Sequence, residues 1–269
     1  MAEQDIEELI HKAKESLAAF VLDIDGVLHL DEVPIPGAAE AVARLRQMGY
    51  GVCFFTNVTA SSRAARAVRL QKYGIEADPD EILTASSVTA DWLRERGSPR
   101  CYLLLHGSGR DEFAGLKVDA RDPEIVVVGE MGETLRPALL NRALETLLYG
   151  AELVATQKNR YWLEDGRRAL DVGAYVAALE FASGQRATVI GKPAPYGYRA
   201  ALRLLGLPAD QVAMVADDLA VDLAGARAVG MRTVLVESGE YGPASAQQGE
   251  APDLALPSIA HLPAWLAHR

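Results

Sequence analysis

Cysteine is scarce in this chain: two among 269 residues, Cys53 and Cys101, both within apolar runs. Both read as buried thiols in a reducing cytoplasm, and neither belongs to a CxxC pair. Histidine is nearly as sparse, five scattered residues, which argues against a zinc site. No apolar run approaches the roughly 20 residues that span a bilayer. The stretch from Met1 to Glu15 is too acidic and polar to resemble a signal peptide. Positive charge is also short, 27 Lys and Arg against 37 Asp and Glu, for a net charge of -10 and a pI near 5.1. That argues against a nucleic-acid or anionic-membrane surface, since both need concentrated positive charge, but leaves a small anionic ligand open. Internal repeats, coiled-coil heptads and low-complexity tracts are missing as well.

What the chain does have is alternation. Ile6, Leu9, Ile10 and Ala13 recur at helical spacing ahead of a short apolar run, Phe20–Leu22, that reads as a buried strand. Pro36-Gly37 opens a helix with Ala41, Val42, Leu45 and Met48 on one face; Gly51–Thr56 follows as a second strand, then a helix from Ser61-Ser62 to Tyr73. From about Asp78 the order is looser. Strands are expected at Ile82–Thr84, Cys101–Leu105, Glu124–Gly129 and Leu153–Thr156, with helices near Ser87–Arg96, Pro137–Tyr149 and Val172–Ala182. The first rhythm resumes with a strand into Gly191-Lys192-Pro193, a helix near Tyr196–Leu205, strands at Gln211–Ala216 and Arg232–Val236, and a helix from about Asp222 to Val229. Tyr241–Pro257 reads as a loop and Ile259–Leu266 as a last helix. The expected fold is α/β: a doubly wound parallel-sheet, Rossmann-like core formed by residues 1–78 and 186–269, with an α/β cap domain, 79–185, inserted into it.

Chemistry-bearing residues fall at the carboxyl ends of four expected core strands, where open α/β sheets place their ligands. They are Asp23 with Asp25, Thr56 with Asn57, Lys192, and Asp217-Asp218 with Asp222. Two carboxylates 4 Å apart repel by about 4 kcal/mol at an effective dielectric near 20. A hard divalent cation removes that repulsion, and magnesium suits one or two carboxylates completed by phosphate and water. A metal, a lysine and a nucleophilic carboxylate together are what phosphoryl transfer through an aspartyl-phosphate needs. Each position also has a plainer reading. Asp25-Gly26 serves as a turn, Thr56-Asn57 as a helix cap, Lys192 as an exposed loop residue, and the acids near 217–222 as helix N-terminal charges. His29 and His106 read as surface or boundary residues, and Tyr161 and Trp162 as core.

The motifs DxDGVL, FFTN, GKP and an acidic cluster after MVA, in that order, resemble the haloacid-dehalogenase superfamily, over almost the whole chain beyond the first ~18 residues. The insertion resembles the large α/β cap of the p-nitrophenylphosphatase-like subclass. Within it, QKNRYW and LDVGAYVAALEFASGQRATVIGKPAP resemble the group of phospholysine phosphohistidine inorganic pyrophosphate phosphatases. The resemblance implies a magnesium-dependent phosphatase with Asp23 as nucleophile and Asp25 as acid and base. It implies Thr56, Asn57 and Lys192 as phosphate ligands, and Asp217, Asp23 and the Asp25 carbonyl as metal ligands. Asp218 and Asp222 would be supporting acids. It further implies a homodimer, and substrate selection by cap residues between about 157 and 173. Ala216 stands where the superfamily usually has glycine, the one feature favouring a second reading: a phosphate- or metal-binding regulatory protein with little turnover. A phosphorylatable receiver domain uses similar residues, but its ~120-residue scale has no large insertion.

Overall fold

The computed structural model describes residues 17–119, 121–164, 167–239 and 250–267. The helix expected around Ile6–Ala13 lies outside them. Fourteen strands are described: β1 (Ala19–Leu22), β2 (His29–Leu30), β3 (Val33–Pro34), β4 (Gly51–Thr56), β5 (Ile82–Thr84), β6 (Cys101–Leu104), β7 (Ile125–Val128), β8 (Glu152–Ala155), β9 (Tyr161–Glu164), β10 (Arg167–Leu170), β11 (Thr188–Val189), β12 (Val212–Ala216), β13 (Arg232–Val236) and β14 (Leu254–Leu256). Six of them form one sheet in the order β14-β13-β12-β1-β4-β5, and four form another in the order β11-β8-β7-β6. The ladders within both are parallel. The fold is therefore α/β with a doubly wound parallel core sheet and a separate parallel cap sheet.

The strand sequences explain the arrangement. Every residue of β1 and β12 is fully buried, as expected of central strands covered by helices on both faces. β1 pairs with β4 on one side and with β12 on the other, so the chain reverses its winding there. Such a switch point opens a crevice at the carboxyl ends of the strands. In the four-stranded sheet, Tyr102, Leu104, Val126, Val128, Leu153 and Ala155 pack with Val172, Val176 and Leu179 into a core of their own. By compactness the chain divides into two units. One comprises the chain up to Phe55, Arg69–Glu81 and the chain from Tyr198 on; the other comprises Thr56–Val68 and Ile82–Gly197.

Local signals set several element ends. The helix Ala85–Glu95 starts on a capping box in which Thr84 Oγ1 accepts from the Ser87 N–H and Ser87 Oγ accepts from the Thr84 N–H, at 3.0 and 2.9 Å. Other expectations need correction. Part of the stretch read as a loop, Leu254–Leu256, is an edge strand on β13. The helix expected from Asp222 begins as a π-turn, Leu219–Leu223, before Ala224–Ala228. The hairpins β2–β3 and β9–β10 had no counterpart in the sequence reading.

Candidate active site

Asp23 follows directly on β1 and Asp217 on β12, two paired parallel strands of the first unit. The Asp23 N–H continues the ladder by donating to the Val215 carbonyl at 2.9 Å. Both side chains are nearly buried, 7% and 4% exposed. Asp23 Oδ1 accepts from the Ile24 N–H at 2.8 Å, which fixes the carboxylate's orientation. The backbone then turns at Gly26, at φ +80°, and Ser238 Oγ donates to the Gly26 carbonyl at 2.9 Å.

Two glycines close on the Asp217 carboxylate. A Cβ on Gly26 would lie 2.6 Å from Asp217 Oδ2, and one on Gly239 only 1.9 Å from the same atom. Asp217 is thus held where no larger residue could stand beside it. The sequence reading has Gly26 as a turn residue and does not single out Gly239, because only tertiary contact reveals the close approach. Ala216, by contrast, sits in regular strand, paired with Leu235 and fully buried. Its methyl group demands no unusual backbone.

Asp25 is half-exposed, with Oδ1 3.6 Å from His29 Nε2. His29, expected at a surface or boundary, is buried at 2% exposure, its ring 5.3 Å from that of Tyr73. Asp218 caps the π-turn, accepting from the Ala220 and Val221 N–H groups at 2.8 and 3.0 Å. The plainer reading, an acid at a helix start, therefore describes its side chain. Asp222 is buried, and its carbonyl accepts from the Tyr198 hydroxyl at 2.8 Å. Tyr198, a second residue the sequence did not single out, is fully buried. Burial, and then the charges of Asp222, Asp23 and Asp218, push its pKa well above the tyrosine range, so it stays a neutral donor.

In the second unit, Asn57 and Lys192 meet across 135 residues of sequence. Asn57 Nδ2 donates to the Lys192 carbonyl at 3.0 Å, and the Lys192 N–H donates to Asn57 Oδ1 at 2.8 Å. One side-chain amide thereby clamps the main chain of the lysine, whose own side chain is buried at 2% exposure rather than displayed on a loop. Thr56 is the last residue of β4, and its Oγ1 accepts from the Val58 N–H at 3.1 Å. The loop beyond is tied down at Thr59: Oγ1 accepts from the Glu130 N–H at 2.9 Å, and the Thr59 carbonyl from Ser86 Oγ at 2.7 Å.

Of the stretch 157–173, Gln157 Nε2 donates to Asp171 Oδ1 at 2.8 Å, and Lys158 Nζ bridges both Glu180 oxygens at 2.8 and 2.7 Å. Burial raises the Asp171 pKa despite the bonds it accepts from Val172 and Gln157. Trp162 is 42% exposed on β9, not core as expected, and Arg168 lies over the Tyr161 ring.

Residues 20–119 match the family model described as haloacid dehalogenase-like hydrolase, and 189–262 match a second HAD-hydrolase-like model. Haloacid dehalogenase-like hydrolase domain-containing protein 2 of Bos taurus is 36% identical over 249 residues, covering 92% of this chain and 95% of that protein. The chain belongs to the haloacid dehalogenase-like hydrolases. Human phospholysine phosphohistidine inorganic pyrophosphate phosphatase is also 36% identical, over 236 residues and 86% of each chain. Among solved structures, p-nitrophenyl phosphatase from Archaeoglobus fulgidus superposes with a TM-score of 0.88 at 30% identity, over 93% of this hydrolase and 99% of that chain.

The donor set suits magnesium. Among the described residues no cluster of three or more His, Cys, Asp or Glu forms a metal site. A cation beside Asp23 and Asp217 would therefore rely on two carboxylates, a carbonyl, substrate oxygens and water, the pattern magnesium accepts. Cys53 and Cys101 are no candidates: burial pushes their pKa values to about 12 and about 11, so neither supplies a thiolate. Among the described residues no helix is long and apolar enough to cross a membrane.

Proposed function

We propose that this hydrolase is a magnesium-dependent phosphatase that cleaves a small phosphorylated molecule through an aspartyl-phosphate. The observation that carries the proposal is the pair of buried carboxylates on the adjacent strands β1 and β12, with two glycines closing on Asp217. Burying two acids in one place is costly without compensating charge.

Asp23 attacks phosphorus; the bond from phosphorus to the leaving oxygen breaks, and Asp25 gives that oxygen a proton. Water then attacks the aspartyl-phosphate, Asp25 takes back a proton, and phosphate leaves with Asp23 regenerated. Lys192, Thr56 and Asn57 hold phosphoryl oxygens, and the Asn57 clamp keeps the lysine in place. Asp23, Asp217 and the Asp25 carbonyl would hold magnesium, which would supply positive charge to the nucleophile and the phosphoryl group. Asp222 and Tyr198 support the acidic loop from behind. Residues 79–185 are the cap that selects the substrate, within a cytoplasmic homodimer. The likeness to the phospholysine phosphohistidine inorganic pyrophosphate phosphatase favours phosphorylated amino acids or pyrophosphate as substrates.

The regulatory reading rested on Ala216, and its ordinary strand geometry gives that reading no support. The test is hydrolysis of p-nitrophenyl phosphate with and without magnesium, using Asp23→Asn as control. Activity should require the metal and fall by roughly 10³-fold or more in the variant. Turnover that survives Asp23→Asn sinks the mechanism.

A further inference from the structure

The helix Arg63–Lys72 carries three arginines in its first two turns. Arg63 donates through Nε to Glu112 at 3.1 Å, and Arg69 pairs with Glu32. Arg66 differs. It is 6% exposed, and its Nε and Nη1 are fully buried with no hydrogen-bond partner among the described residues. A guanidinium does not lose its charge in a protein, so burial cannot be relieved by deprotonation. A buried cation without an acceptor is among the costliest groups a fold can keep. A native group that the described residues leave unsatisfied in this way calls for a further partner.

Its position suggests which partner. Side chains on a helix lean toward its N-terminus, so Arg66 leans back over Ser62, where the loop that begins at Thr56 and Asn57 enters the helix. That loop and Arg66 belong to the same compact unit. The loop is fixed by Thr59, by the Ser62 N–H on Ser108 Oγ at 3.0 Å, and by the Arg63 N–H on Glu112 Oε1 at 2.6 Å. In the proposed reaction Lys192 and the metal already compensate the phosphoryl charge, so Arg66 is a cation beyond that requirement.

We infer that Arg66 binds a second anionic group of the substrate, a carboxylate or a further phosphoryl group, and so selects small phosphorylated molecules that carry one. The inference rests on the phosphate-binding reading of Thr56 and Asn57. The guanidinium suits either anion, both of which offer paired oxygens to its N–H groups.

The test compares kcat/KM for phosphoglycolate and for pyrophosphate, each divided by kcat/KM for p-nitrophenyl phosphate, in wild type, Arg66→Met and Arg66→Lys. A ratio cancels the fraction of active protein. At least one ratio should fall tenfold or more in Arg66→Met, with Arg66→Lys in between. Equal ratios in all three proteins overturn the assignment. Should Arg66→Met fail to fold by circular dichroism, Arg66→Lys and calorimetric binding of phosphoglycolate decide. Binding at least threefold weaker than wild type supports the assignment, and equal binding refutes it. The calorimetry needs no turnover. Absent p-nitrophenyl phosphate hydrolysis would therefore count against the phosphatase reading while leaving Arg66 independently tested.

Discussion

The six-stranded and four-stranded sheets share their construction, short buried parallel strands joined through helices, yet the residues that leave their strands differ in chemistry. β1 and β12 run into Asp23 and Asp217, acids that burial makes expensive, with two glycines closing on Asp217. Strands β7 and β8 run into Glu130 and Gln157. There the Glu130 N–H meets Thr59, the Glu130 carboxylate lies 3.4 Å from His106, and Gln157 meets Asp171. One edge sets two buried acids side by side, and the other is a network of neutral and charged groups whose members answer each other. Identical architecture therefore does not assign chemistry. What assigns it is which side chains the strand ends bring together.

Breaking the first edge should have the largest effect. In Gly239→Ala the new methyl meets the Asp217 carboxylate well inside contact distance. The carboxylate must move, and the magnesium concentration for half-maximal activity should rise roughly 10- to 100-fold, the usual range for residues that orient metal ligands. Metal titrations of p-nitrophenyl phosphate hydrolysis measure it. An unchanged metal requirement would mean that Asp217 does not serve the metal.

Asn57→Ala comes next. It removes both bonds that clamp the Lys192 main chain and leaves a carbonyl and an N–H to find new partners. Stability should drop by about 1–3 kcal/mol, read from urea unfolding. The kcat/KM for p-nitrophenyl phosphate should drop roughly tenfold or more, as displaced catalytic groups do. A stability loss with full activity would reduce Asn57 to a structural clamp.

Much of this was legible beforehand, for identifiable reasons. Fully apolar strands ending in Asp23, Thr56 and Asp217 announce a parallel sheet, because apolar runs and strand-end acids are local signals. Lys192 could be named only through its GKP setting, since nothing in a lone lysine foretells 2% exposure. Gly239, Tyr198 and the buried state of His29 depend on approaches between segments far apart in sequence. β14 escaped because three residues on a sheet edge carry almost no periodic signal. Trp162 escaped because a hairpin can display an aromatic residue that composition alone would bury.

The smallest expected effect tests the second edge, where the polar network should serve stability alone. Lys158 Nζ and the Ala187 N–H both donate to Glu180, whose side chain is 11% exposed. Burial by itself would raise the Glu180 pKa, but these donors outweigh it and hold the carboxyl below its ordinary value. A depressed carboxyl stabilises the folded state above the unfolded pKa, near 4.3, and that contribution is lost as pH falls through the folded value. Glu180→Gln should therefore cost about 1 kcal/mol at pH 7. The gap from wild type should narrow steadily below about pH 4 as the native carboxyl takes up its proton. Urea unfolding at pH 7 and pH 3 measures both, with p-nitrophenyl phosphate turnover at pH 7 unchanged. A gap independent of pH would mean that packing, not charge, holds Glu180. A fall in turnover would mean that the network at the ends of the four-stranded sheet takes part in the chemistry after all.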